Sequence, residues 1–162
     1  MADIVLNHSE SALIHGVSWH VSHRFTDVAD AASVDILVVT DPGVELFIVG
    51  EAVADGKAYI DIYEGATVSA SGTELTQYNR SRGSAKTNGS TIYHTPTVTD
   101  TGTVISYGLM AGGEAPGHRS IGGAGGIGAD FIFKGDTIYL FRITNKSGSA
   151  SDISIHLDTW DK

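Results

Sequence analysis

Seven histidines are the residues of this 162-residue chain best suited to metal or acid–base chemistry. Metal sites on regular elements need histidines that project to one side, and no H-x-H pair or H-E-x-x-H run occurs. His20 and His23 are three residues apart, which places them on opposite faces of a strand. Only the fold could bring together His94, His118 and His156. We therefore predict no metal site and no cofactor.

Catalysis by carboxylates or by a serine nucleophile finds little support. Glycoside hydrolysis needs two carboxyl groups at a set separation across a cleft. The candidates are scattered: Glu45, Glu51, Asp61, Glu64, Asp158 and Asp161. No G-x-S-x-G occurs, cysteine is absent, and neither Ser71 nor Ser120 has a base nearby in sequence. We predict no catalytic residue and no enzyme, with a sugar-active enzyme kept as an alternative.

The run Gly123–Gly128 satisfies G-x-G-x-x-G, the pattern of a dinucleotide-binding loop. That chemistry requires a strand before the glycines and a helix after them, because the helix N-terminus holds the pyrophosphate. Here a loop-like "EAPGHRS" precedes them and a strand-like "ADFIFK" follows. The sequence therefore predicts a glycine-rich contact loop over residues 112–128.

Charge and composition limit the partners. The formal net charge is −9, and the basic trio Arg80, Arg82 and Lys86 is the one positive cluster. Nucleic-acid binding depends on clustered Lys and Arg, so we do not expect a nucleic-acid partner. The N-terminus has no signal-peptide pattern, and no run approaches the ~20 apolar residues that span a membrane. We expect synthesis in a cytoplasm and no membrane partner.

The elements that must position these residues are strands, because a period of two dominates the sequence. In "SWHVSHRF", Trp19, Val21 and His23 share one face. "SVDILVVT" is apolar on both faces, which predicts a central strand. Pro42 and Gly43 predict a turn.

Two hairpins are predicted from short connections. Strand-like runs flank Asp55-Gly56, a strong hairpin signal. The last two strands flank the polar connection "NKSGSAS" and should also pair as a hairpin. Only "TDVADAA", with Thr26 as a possible N-cap, indicates a helical turn.

Eight or more short strands without helices predict an all-β, antiparallel two-sheet sandwich of jelly-roll type. We predict an extended N-terminal arm over residues 1–17 and a single β-sandwich domain over residues 18–162. Two long loops are expected, over residues 66–89 and 112–128. Loops this long are uncommon unless they bind or contact something.

Three runs make the chain resemble small head decoration or capsid cement proteins of tailed bacteriophages. They are "YEGATVSASGTELTQYNRSR", "TIYHTPTVTDTGTVISYGLMAGG" and the ending "TIYLFRITNKSGSASDISIHLDTW". The resemblance extends from about Trp19 to Trp160. It implies a jelly-roll-like domain, often a homotrimer, that binds the major capsid protein on the outer capsid surface of the virion and stabilises the shell.

Interface residues follow as hypotheses from the arm and the two loops. An arm can add a strand to the edge of a partner's sheet, and its apolar triplet suits that role. The candidate interface residues are Ile4, Val5, Leu6, Arg80, Arg82, Lys86, His118 and Arg119. The alternative function is a carbohydrate- or host-receptor-binding module of a phage fibre. Its candidate sugar-stacking residues are Tyr63, Tyr78, Tyr93 and Tyr107.

Overall fold

The computed structural model describes residues 8–111 and 123–161. In that part of the chain one short helix, α1 (His8–Ile14), precedes thirteen strands. The strands are β1 (Ser18–Val28), β2 (Ser33–Thr40), β3 (Leu46–Ala54), β4 (Ala58–Glu64), β5 (Thr67–Ala70), β6 (Thr73–Glu74), β7 (Tyr78–Asn79), β8 (Ser90–His94), β9 (Thr97–Asp100), β10 (Thr103–Met110), β11 (Gly123–Phe133), β12 (Ile138–Asn145) and β13 (Ser151–Asp161).

The strands form two antiparallel sheets packed as a sandwich. Sheet I has the order β11-β3-β13-β1-β7, and sheet II has the order β10-β4-β12-β2-β8-β6. Strands β5 and β9 pair in a separate two-stranded ribbon. Along the chain, β1, β3, β11 and β13 join sheet I, whereas β2, β4, β10 and β12 join sheet II. The chain thus changes sheet at nearly every core connection, which is jelly-roll connectivity and confirms the predicted fold class.

Alternation along the strands supplies the core between the sheets. In β1, Trp19 and Val21 are buried while Ser22 and Arg24 are exposed, as the sequence predicts. Tyr139 of β12 stacks on Phe133, the last residue of β11, with ring centroids 3.7 Å apart. Each fully buried side chain of this size contributes roughly 1.5–3 kcal/mol by leaving water.

A second, smaller core lies on the outer face of sheet II. Leu37 and Leu140 point away from the main core and are nevertheless fully buried. Val68 of the β5–β9 ribbon and Ala66, just before β5, cover them. Strand β2 is therefore buried on both faces and lies between β12 and β8, which confirms its predicted central position.

The hairpin predicted at Asp55-Gly56 is wrong. Strand β3 pairs with β11 and β13 in sheet I, whereas β4 pairs with β10 and β12 in sheet II. A type I′ turn needs positive φ at both central residues, and neither Asp55 nor Gly56 has it. Gly56 instead permits a close approach, because a Cβ there would overlap the side chain of Ser147.

The hairpin predicted for the last two strands is also wrong. Strand β12 belongs to sheet II and β13 to sheet I, so residues 146–150 cross between the sheets. This crossing packs beside the β3–β4 crossing. Lys146 N donates to Lys57 O at 2.8 Å, and Asp55 N donates to Asp152 O at 3.3 Å. The two connections hold each other at one end of the sandwich.

Two predictions of secondary structure near the N-terminus are wrong. The predicted helical turn at "TDVADAA" is wrong, since β1 continues to Val28 through a bulge in which Asp27 has a φ of 54°. The predicted extended arm also differs, because residues 8–14 form α1. This helix buries Ala12, and Gly16 follows it with a φ of 68°, a left-handed conformation suited to a helix end.

The two predicted long loops contain strands. Residues 66–89 include β5, β6 and β7, which pair with strands elsewhere in the chain. The glycine-rich run Gly123–Gly128 lies in β11, where Gly123 pairs with Ala54. The prediction of a loop is therefore wrong for Gly123–Gly128, and the chain continues from β11 to β12 without a helix.

Candidate functional site

One segment closes an edge of the sandwich. Residues 73–79, which we call the strap, begin as β6 beside β8 in sheet II and end as β7 beside β1 in sheet I. Leu75 N donates to Ile92 O at 2.8 Å, and Leu75 packs against the main core. Just after the strap, Arg80 N donates to Ser18 O at 2.8 Å. The strap therefore ties the two sheets together.

The basic trio lies at the end of the strap and does not form a free anion patch. Arg80 Nη1 lies 3.1 Å from Asp158 Oδ2, and the Arg82 guanidinium lies 5.3 Å from the ring centroid of Tyr78. Lys86 lines a groove beside the strap. Two of the three predicted interface cations are thus engaged within the chain.

That groove is polar and has a volume of about 410 Å³. Trp19 and the strap form part of its lining. Gln77 Nε2 donates to Ser90 O at 2.7 Å, and Asn88 Nδ2 donates to Gln77 Oε1 and, at 3.3 Å, to Thr159 Oγ1. These amides fix the strap against β8 and β13.

The outer face of sheet I carries a histidine–carboxylate cluster. His20 Nδ1 lies 2.7 Å from Asp158 Oδ1, and the rings of His20 and His156 stack with centroids 6.0 Å apart. Glu51 lies opposite His156 on the neighbouring strand. Among the described residues, no three His, Asp or Glu side chains are placed as a metal site requires.

A second histidine pair lies between the sheets. His23 of β1 stacks on His94 of β8 with ring centroids 4.0 Å apart and an interplanar angle of 19°. Phe25 packs edge-on against both rings. Burial and the neighbouring His94 lower the pKa of His23 from its ordinary value of 6.5. Sequence reasoning placed His23 on the apolar face of its strand but did not pair it with His94.

Several candidate carboxylates are held in ion pairs or hydrogen bonds. Arg142 Nε and Nη2 each donate to Asp35 at 2.8 Å, and Asp61 lies opposite Arg142 on β4. Burial raises the pKa of Asp61. Glu64 accepts from Lys134 Nζ at 2.7 Å, an interaction that lowers the pKa of the carboxyl group.

Asp161 and Glu45 complete the carboxylate candidates. Asp161 Oδ1 accepts from Gly89 N at 3.4 Å, and burial raises the pKa of the carboxyl group. Glu45 is exposed just before β3. The structure therefore distributes the six candidates over several sites, and none of the described contacts joins two of them across a cleft.

An exposed apolar strip lies on the outer face of sheet II, along its edge. This edge strip consists of Tyr59 on β4 and of Tyr107 and Leu109 on β10, with exposed fractions of 40%, 77% and 61%. Leu109 lies directly opposite Tyr59. The ammonium groups of Lys57 and Lys146 lie 5.7 and 5.9 Å from the Tyr59 ring centroid. The alternation of Tyr59 with buried Ile60 was the signal for this face.

The four candidate sugar-stacking tyrosines have different surroundings. Tyr63 and Tyr93 pack against the smaller core. Tyr78 is exposed under Arg82, and Tyr107 is the most exposed of the large hydrophobic residues described. Only Tyr107 shares a surface with another exposed aromatic ring, that of Tyr59.

The remaining candidates lie outside the described residues. They are Ile4, Val5 and Leu6 of the arm, together with His118, Arg119 and Ser120 near the glycine-rich segment. In the described ranges, no helix has both the length and the hydrophobicity needed to cross a bilayer.

Comparison of the chain with protein-family models, with curated proteins and with solved structures finds no match.

Proposed function

We propose that this chain is a structural, non-catalytic virion protein. It would bind the major capsid protein on the outer surface of a tailed-phage capsid, as a decoration or cement protein that works as a homotrimer. The edge strip is the observation that carries this proposal. The sequence resemblance and the jelly-roll connectivity also support it.

The edge strip has the properties of a surface used for assembly. Tyr107 and Leu109 lie on β10, which pairs with β4 alone in the described part of the chain. Native proteins usually protect such an edge with charges, bulges or covering segments. Contiguous exposed apolar side chains commonly mark a protein–protein interface. Tyr is among the residue types that contribute most at such interfaces.

Stabilisation of a capsid by this protein would be thermodynamic. A ligand that binds only the assembled shell stabilises it over the separate subunits by mass action. A trimer that contacts several subunits at once gains further through effective concentration. Both effects depend on binding through the edge strip, so both should be lost when the edge strip is made polar.

Two measurements test the proposal separately. Light scattering coupled to size exclusion should give a mass near three chains of 17.0 kDa each. Co-sedimentation with capsid shells of the phage that encodes the chain should show saturable binding. A monomer would refute the trimer, and failure to co-sediment would refute the capsid role.

A matched pair of variants assigns the surface. Leu109→Asp should abolish trimer formation and shell binding, because it places a charge in the edge strip. Val49→Asp is the control, since Val49 is also exposed (39%) but lies on the outer face of sheet I. Equal behaviour of the two variants would show that the edge strip is not the interface.

Saccharide binding is the second candidate function, favoured by the row of residues beside Tyr107. Asp61 lies opposite Tyr107, and Arg142 lies opposite Asp61 on the next strand. An exposed ring next to a carboxylate and a guanidinium offers stacking and hydrogen bonding to a sugar. A glycan array with the wild type and Tyr107→Ala tests it. Binding that the variant retains would exclude this surface.

A further inference from the structure

The His23–His94 pair joins the two sheets at the edge that the strap closes. His23 belongs to β1 of sheet I and His94 to β8 of sheet II. β7 pairs with β1 and β6 pairs with β8, so the strap lies beside both strands. Contact between the two imidazole rings, 4.0 Å apart, is therefore a contact between the sheets.

In the described part of the chain, none of the residues paired with His23 or His94 carries a charge that could compensate two protonated rings on the same face. His23 lies opposite Ile155 of β13, and His94 lies opposite Ile36 of β2 and Thr73 of β6. Thr95 Oγ1 lies 3.0 Å from His94 Nδ1, and Phe25 packs against both rings.

Most of the charged and titratable groups on these packed strands alternate with the facing positions and so point to the outer faces. Those on the outer faces are His20 and Arg24 on β1, Asp35 on β2, Glu74 on β6, Tyr93 on β8, and Asp152, His156 and Asp158 on β13. Of the other two, Asp27 lies in the bulge that ends β1, where its N donates to Asp152 Oδ1, and Asp161 lies at the far end of β13, where it accepts from Gly89 N. Asp35 is occupied by Arg142. No carboxylate among them faces the imidazole pair, so a second proton on the pair would be opposed by the first.

We propose that the His23–His94 pair is a pH-sensitive clasp, closed when at least one ring is neutral and forced open when both rings are protonated. Opening would separate β1 from β8 and release the strap that spans them. Acidification would thus loosen one edge of the sandwich and leave the crossings near Gly56 intact. The groove beside the strap would lose the wall that the strap forms.

The direction in which stability changes with pH follows from the lowered pKa of His23. A histidine whose pKa is lower in the folded than in the unfolded state takes up its proton more readily when unfolded. The stabilisation is therefore complete above the ordinary pKa of 6.5. The stabilisation is lost as the pH falls from 6.5 through the lower pKa that His23 has in the folded state. Below that pKa the stability changes no further from this group, because His23 is protonated in both the folded and the unfolded state.

Hydrogen exchange of the strap tests the clasp locally. The amides of Leu75 and Arg80 bond the strap region to the two sheets. Between pH 7.5 and pH 5.0, their protection, corrected for intrinsic exchange rates, should fall about fivefold or more. That factor corresponds to about 1 kcal/mol, the repulsion of two unit charges 4 Å apart in bulk water.

Two phenylalanine variants distinguish the clasp from general acid sensitivity. His94→Phe keeps a ring stacked on His23 but removes the second proton site, so the loss of protection should become smaller. His156→Phe, on the outer face of sheet I, is the matched control and should retain the wild-type loss. The proposal is overturned if the two variants respond alike.

A titration of the wild-type protein makes the test independent of variant folding. Imidazole carbon–proton signals followed by NMR should show a midpoint below 6.5 for His23. If His23 titrates at or above 6.5, the clasp does not exist.

Discussion

Gly72→Ala tests how closely the strap approaches the sheet beneath it. Gly72 precedes the strap and has a φ of 92°, and a Cβ there would overlap His94 O and lie 2.7 Å from Thr95 O. Gly148 has a similar φ of 81° but no atom within 4 Å of such a Cβ. The two glycines therefore share a backbone conformation and differ in available space.

The expected costs follow from that difference. A left-handed conformation costs an L-residue roughly 1–2 kcal/mol, and Gly→Ala returns about 0.4–1 kcal/mol by restricting the unfolded chain. Gly148→Ala should therefore destabilise by up to about 1.5 kcal/mol. Gly72→Ala adds about 1–3 kcal/mol because the backbone must shift to make room.

Urea unfolding at pH 7 measures both variants against the wild type. With an m-value of about 2 kcal/mol/M, the midpoint of Gly72→Ala should lie about 0.5–1.5 M below that of Gly148→Ala. Equal midpoints would refute the close approach and, with it, the position of the strap. Agreement of the m-values is needed to attribute the shift to the folded state.

Two further predictions concern ion pairs. Asp35→Ala should cost about 1–3 kcal/mol in urea unfolding, since it leaves the half-buried Arg142 without its two 2.8 Å acceptors; a loss under about 0.5 kcal/mol would contradict it. Glu64→Gln should reduce stability at pH 7 by at most about 1 kcal/mol, because the Lys134 ammonium is largely exposed and solvent weakens its attraction to the carboxylate. The pKa of Glu64 is lowered, so this difference should vanish as the pH falls from 4.5 through the folded value, and thermal unfolding at pH 7 and pH 3 checks it.

Strands and one turn could be predicted because their causes are local. The alternation of Ile60 with Tyr59 requires only that one face be buried. Pro42 and Gly43 also behave as predicted. Val44 N donates to Asp41 O at 3.2 Å, and Gly43 has the φ of 78° that a type II turn needs.

Strand partners could not be predicted, because a period of two identifies a strand but not its sheet. A short connection with Asp-Gly suggests a hairpin only when no other strand competes for the same edge. Here β13 occupies the edge of β3 and β12 occupies that of β4. Gly56, which resembled a turn residue, instead allows the β3–β4 connection to approach Ser147 in the β12–β13 connection. Tertiary pairing overrode the local signal.

The candidate sites depend on the same long-range pairing. His23 faces inward by its own periodicity, but His94 meets it only because β8 lies across the core from β1. The edge strip likewise requires Tyr59 to align with Leu109, although residues 65–102 separate their strands. Sequence alone placed His23 on a face of its strand and could not place any two of these side chains together.

The two edges of the sandwich differ in a way that separates stability from association. At one edge the strap adds a strand to each sheet and protects both. At the other, β10 and β11 end the sheets, and β10 presents Tyr107 and Leu109 to solvent. Changes in the strap should therefore alter unfolding of the single chain without altering its assembly. Leu109→Asp should do the reverse, because an exposed side chain contributes little to the fold. The two variants are therefore compared at a protein concentration at which both are monomeric, because assembly itself stabilises the folded chain. A much lower urea midpoint for Leu109→Asp under that condition would show that the edge strip belongs to the core and not to an interface.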